Sequence, residues 1–122
     1  MGIELRTEQV LVGICVLFQF HPASRRAEIG YALARPYWGC GYMQEALQAL
    51  LAYAFLEMDL NRLEADIDPR NLASARTLER LGFQKEGYLR ERWIVGAEIS
   101  DTSLYGLLRR YWSARSNLLL SK

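Results

Sequence analysis

Residues 35–55 read "RPYWGCGYMQEALQALLAYAF", and the fold turns on how this stretch is taken. Two glycines, Gly39 and Gly41, follow the aromatics Tyr37 and Trp38. Behind them Met43, Ala46, Leu47, Leu50, Leu51, Ala54, Phe55 and Met58 recur at i, i+3, i+4, i+7 spacing. That period predicts an amphipathic helix with one apolar face. A side-chain-poor turn directly before a long helix has two readings. It is a plain corner, or it is an anion site, where the free N–H groups and positive dipole end of the helix meet a phosphate that glycine lets approach. The dipeptide pattern alone fits both. There is no G-x-x-x-x-G-K-[ST] and no G-x-G-x-x-G, so neither a triphosphate P-loop nor a dinucleotide fingerprint is indicated.

Outward from the turn, "AEIGYALA" (27–34) reads as a strand with Glu28, Gly30 and Ala32 on one face and Ile29, Tyr31 and Leu33 on the other. Upstream, "GIELRTEQVLVGICVLFQF" reads as two strands broken near Thr7–Gln9. The second, Val10 to Phe20, is apolar almost without interruption, as in a buried strand. "HPASRR" is a turn around Pro22 that also takes in His21. Downstream, "RLEADID" (62–68) reads as a strand. "NLASARTLERLGF" predicts a second helix with Asn71 as N-cap, Leu72, Ala75 and Leu78 on one side, and Gly82 just past its end. "YLRERWIVGAEISDTSLYGLLRR" predicts two strands around a turn at Val95–Glu98, with Trp93 and Tyr105 packing in that hairpin. The segment after Trp112 reads as a tail or a short helix. Strands and helices in this order predict a mixed sheet flanked by helices, an α/β (α+β) layer design.

The bulk numbers fit one globular domain: 122 residues, 51% hydrophobic, 24% charged and a net charge of +1. That balance argues against a dedicated nucleic-acid binder. Arg25-Arg26 and Arg109-Arg110 are the longest basic runs and read as solvated surface. The two cysteines, Cys15 and Cys40, lack metal-type spacing and point to a reducing, cytoplasmic setting. No apolar run is long enough to span a bilayer, and the start "MGIELRTEQ" lacks a signal-peptide pattern.

Taken together, YWGxGY, then N-x-x-S-A, then L-G-F, with "LRERWIVGAEISDTSLYGLLRR" behind them, closely resemble the GNAT acetyltransferase superfamily, and within it the ribosomal-protein alanine N-acetyltransferase (RimJ/RimL) type. The resemblance covers about residues 3–112 and implies a single GNAT-like domain over 1–112 with a tail at 113–122. It implies acetyl-coenzyme A as cosubstrate and no metal. The glycine turn, Trp38, Gly39, Cys40, Gly41, Tyr42 and Met43, would bind the pyrophosphate, with Met43 where the superfamily often has Gly or Ala. Leu33, Ala34 and Arg35 would pair with the pantetheine arm as an added strand. Asn71 and Ser74 would lie near the cofactor, and Arg76 and Arg80 are candidates for its phosphates, against the plainer reading of a solvated helix face. Glu28 is the candidate general base, against the plainer reading of a sheet-face ion pair with Arg25 or Arg26. Ser74 is the candidate donor to sulfur, against a first-turn capping role. Asp101 is a further candidate for meeting the acceptor amine.

The acceptor implied is a primary amine, a protein or peptide N-terminus or a small molecule, acetylated by direct attack on the thioester. The alternative is a non-catalytic acetyl-coenzyme A-binding or assembly module. The family's domain opens with one more strand and two helices than this chain, so the fold is expected to be N-terminally truncated, with an open acceptor wall, an exposed sheet edge and a homodimer as the result. No nucleic acid or membrane partner is expected.

Overall fold

The computed structural model describes residues 2–5, 10–33 and 42–120. Strands β1 (Gly2–Leu5), β2 (Val10–His21) and β3 (Arg26–Leu33) precede helix α1 (Tyr42–Ala52). Then come β4 (Arg62–Ile67), α2 (Leu72–Leu81), β5 (Gln84–Val95), β6 (Glu98–Leu108) and α3 (Arg109–Leu120). The strands form one six-stranded sheet in the order β1-β2-β3-β4-β6-β5. Among the described residues only β3 and β4 run parallel; every other neighbouring pair is antiparallel. This is the mixed sheet flanked by helices that the residue patterns predict, and its mostly antiparallel pairing is what the family resemblance implies.

The apolar stripe of α1 does what its spacing requires. Met43, Leu47, Leu50 and Leu51 are buried, and they pack with Ala27 and Ile29 of β3, Leu63 and Ala65 of β4, and Tyr105 and Leu107 of β6. Leu63 sits opposite Leu107 and Ala65 opposite Tyr105 in the ladder, so one sheet face carries the core. After Ala52 the helix widens into a π turn, Tyr53–Glu57, closed by Met58 N–H donating to the Tyr53 carbonyl at 3.1 Å. π turns are rare inserts; this one keeps the adjacent Ala54 and Phe55 both fully buried.

Helix α2 starts and stops where its sequence says. The Asn71 side chain accepts a hydrogen bond from Ser74 N–H at 3.1 Å, and Gly82 closes the other end at φ +103°, in the left-handed region. Asn71→Ala should therefore destabilise the protein by about 1 kcal/mol, read as a lower urea midpoint at unchanged slope. Leu78 is buried and Ala75 partly so, but Leu72 stays 62% exposed. One residue past the cap, it precedes the turn that reaches the sheet.

A second correction concerns β2. Its continuous apolar run reads as buried, yet Val16, Phe18 and Phe20 are 38%, 42% and 51% exposed. Alternation sends Leu17 to the core and puts Val16 and Phe18 on the opposite sheet face with Gly30 and Glu28, their ladder partners, while Phe20, beyond the irregularity at Gln19, lines the same open cavity as Phe18. A Cβ at Gly30 would stand 3.1 Å from Phe18 Cε1, so the missing side chain lets that ring lie over β3. An apolar run cannot say which faces of a sheet are covered.

Candidate active site

β3 and β4 are ladder partners only at Arg26–Arg62, Ala27–Leu63 and Glu28–Glu64. Beyond that point β3 runs on to Leu33 and β4 to Ile67 with no further pairing between them among the described residues. The sheet is split there, and each strand turns an open backbone edge toward the gap. Backbone groups cannot be left unpaired at no cost, so such a gap suits an extended ligand carrying amides of its own.

On the face away from the helices, Glu28 stands where the split begins. It lines an open cavity of about 640 Å³ with Phe18 and Phe20 of β2, Glu64 and Asp66 of β4, Trp93 of β5 and Thr102 of β6, among others. Burial pushes the Glu28 carboxyl above the usual range, the negative charges of Asp66 and Glu64 push it further, and the Arg92 guanidinium opposes them. The sheet-face ion pair with Arg25 is not formed: Arg25 pairs with Asp59 at 3.3 Å. Arg26 lines the same cavity without closing a salt bridge to Glu28.

Across the split, Tyr31 bridges β3 and α2. Its hydroxyl donates to the Ser74 carbonyl at 3.3 Å, and burial raises its pKa. Ser74 thus sits in the first turn of α2, its N–H capped by Asn71 and its carbonyl held by Tyr31. Arg76 and Arg80 are exposed on the same helix.

Of the turn residues, Ala34, Arg35, Trp38, Gly39, Cys40 and Gly41 lie outside the described residues. Leu33 ends β3 and Tyr42 opens α1. The Met43 side chain is buried in the core, which leaves only its backbone for a ligand at the helix start. Asp101 is committed to its own hairpin: its two oxygens accept from Tyr88 O–H and, at 2.7 Å, from Glu91 N–H. Both bonds hold its pKa below the usual range, the Tyr88 bond most.

Four residues that sequence reasoning passed over belong to this site. Glu64 and Asp66 share a face with Glu28 only because β3 and β4 pair in parallel register, which no local pattern announces. Arg92 reaches the cavity from β5, and Tyr31 reaches from β3 to α2. Alternation within "RLEADID" does put Glu64 and Asp66 on one face, and that signal was available. Among the described residues no helix is long and apolar enough to cross a membrane, and no cluster of metal-ligating side chains occurs.

Comparison with known proteins fits this geometry. An N-acetyltransferase of Bacillus licheniformis named p20, itself uncharacterized, is 39% identical over 112 residues, covering 92% of this chain and 63% of its own length. The [Ribosomal protein uS5]-alanine N-acetyltransferase of Escherichia coli is 33% identical over 85 residues, covering 70% of this chain and 44% of its own. The crystal structure of a GNAT-family acetyltransferase from Bacillus anthracis superposes with a TM-score of 0.82 at 35% identity, over 89% of this chain and 65% of that one. The chain thus spans about three fifths of the length of the curated relatives it matches. Residues 1–84 match the family described as "Acetyltransferase (GNAT) domain", and the chain belongs to the GNAT acetyltransferase family.

Proposed function

We propose that the protein is an acetyl-coenzyme A-dependent N-acetyltransferase acting on a primary amine, such as a protein or peptide N-terminus. One observation carries the reading. A carboxylate of raised proton affinity, Glu28, lines an open cavity at the point where β3 and β4 part. A carboxyl shifted upward is a better proton acceptor near neutral pH than an ordinary one.

The residues present suit acetyl-coenzyme A, which would supply the activated acetyl group. The open edges of β3 and β4 would hold its amide-bearing arm, and the start of α1 would face its phosphates. Glu28 would take the proton that the acceptor amine gives up, and Ser74 would offer its hydroxyl to the thioester sulfur. Glu64, Asp66 and Asp68 attract a cationic amine to the cavity, and Phe18, Phe20 and Trp93 cover its apolar part. The E. coli relative is named for acetylating the alanine of a ribosomal protein, which favours a peptide N-terminus as acceptor.

Incubation with acetyl-coenzyme A and a peptide bearing a free N-terminal alanine should give the acetylated peptide by mass spectrometry; no product with any amine tried removes the catalytic reading. Ser74→Ala should lower kcat about tenfold, the scale of one hydrogen bond to a developing charge, with the melting temperature retained. Unchanged turnover would leave Ser74 a structural residue of the first turn.

A second reading is a non-catalytic binding or assembly module. The exposed Val16, Phe18 and Phe20 stripe favours it, since an apolar stripe of this kind suits a second copy of the chain. It predicts cofactor binding without turnover, and a dimer by light scattering.

A further inference from the structure

In a regular strand, adjacent side chains point to opposite faces. Arg92 and Trp93 nonetheless both line the Glu28 cavity. The cause is a break in the β5–β6 ladder between Leu89 and Trp93, where Glu91 adopts φ +50°. A bulge of this kind re-aims the side chains that follow it. The left-handed conformation is unfavourable for a residue with a Cβ, so something must hold it. The Asp101 carboxylate is placed to do so from β6, accepting from Glu91 N–H at 2.7 Å on one oxygen and from Tyr88 O–H on the other. Downstream of the clasp, the Arg92 guanidinium stands 5.8 Å from the Trp93 ring centroid, so the pair enters the cavity as a unit.

We propose that Asp101 is a positioning residue for the acceptor cavity: it clasps the β5 bulge through Glu91 and Tyr88, and the bulge brings both Arg92 and Trp93 to the wall that Glu28 shares. This rests on the acetyltransferase reading of that cavity. Arg92 is the group on β5 that eases ionisation of Glu28. The other charged or titratable groups around the cavity are His21 at the end of β2, Arg26 on β3, Glu64 and Asp66 on β4, Asp68 just beyond it, and Asp101 itself. A displaced Arg92 leaves Glu28 among carboxylates with less opposition.

The test is the titration midpoint of Glu28 itself, followed by carboxyl-13C NMR in glutamate-labelled protein, with the resonance assigned by its loss in Glu28→Gln. Arg92→Gln should move the midpoint up. Asp101→Asn should also move it up, although deleting a cavity carboxylate acts by itself in the opposite direction. The double variant Asp101→Asn/Arg92→Gln should shift no further than Arg92→Gln alone. Tyr88→Phe leaves every charge in place, removes one arm of the clasp and should give a smaller upward shift. This comparison needs no turnover, so an inactive protein would sink the catalytic reading and leave the clasp standing. In an active protein, Asp101→Asn should lower kcat/KM about tenfold to a hundredfold and carry the acid limb of its pH profile upward. A Glu28 midpoint that stays put or falls in both Asp101→Asn and Tyr88→Phe overturns the proposal. So does additivity in the double variant. Should Asp101→Asn fail to fold, Tyr88→Phe decides.

Discussion

Glu28→Gln should reduce kcat/KM for amine acetylation by about 10²–10⁴-fold, the range of a positioned general base, and should leave the protein at least as stable as before. The two halves of this result have one cause. Glu28 is half-buried beside Asp66 and Glu64, and its pKa is raised by burial first and by those charges second. In the unfolded chain its pKa is ordinary. A carboxyl whose folded pKa lies above its unfolded one contributes stability below the unfolded pKa, and that contribution is lost as pH rises through the folded pKa. At neutral pH the ionised Glu28 therefore costs the fold something, and an isosteric amide removes the cost. The wild-type rate should fall on the acid side with a midpoint above the ordinary carboxylate range, and this limb should vanish in the variant. An unchanged pH profile in Glu28→Gln would strip Glu28 of the role.

The largest effect on stability should come from Phe55→Ala, at about 3–5 kcal/mol. Phe55 is fully buried in the π turn that ends α1, and its ring lies 5.1 Å from that of Trp112 on α3. It therefore ties the long helix to the C-terminal one as well as to the sheet. Domains of this size are stable by only about 5–15 kcal/mol, so the variant should be close to unfolding at 37 °C. Tyr53→Ala, two residues away in the same turn and more than half exposed, should change stability by no more than about 0.5 kcal/mol. Urea denaturation of the pair separates burial from helix propensity. Equal losses would mean that the turn, and not the buried ring, matters.

What the sequence made legible was local. The α1 stripe, the Asn71 cap, Gly82 and the turn at Gly96 each announce themselves within a few residues, and the structure places all of them as their patterns demand. What it hid depends on pairing between distant segments. The parallel register that sets Glu64 beside Glu28 links positions far apart in the chain. The exposure of Phe18 and Phe20 depends on which sheet face the helices cover. The β5 bulge follows from Asp101 on the next strand, and Asp101, weighed from sequence as an acceptor contact, turns out to hold its own hairpin. Glu28 and Ser74 were legible as candidates only through the family resemblance. The structure adds what surrounds each of them.

We propose that the split sheet and the glycine turn form an acetyl-coenzyme A site, and calorimetric titration of acetyl-coenzyme A into the chain and into Gly41→Asp is its sharpest test. The wild-type chain should bind saturably and a folded Gly41→Asp not at all, since the variant would set a carboxylate among the phosphates. Absence of binding to a folded wild-type chain, or equal binding by both, would contradict it.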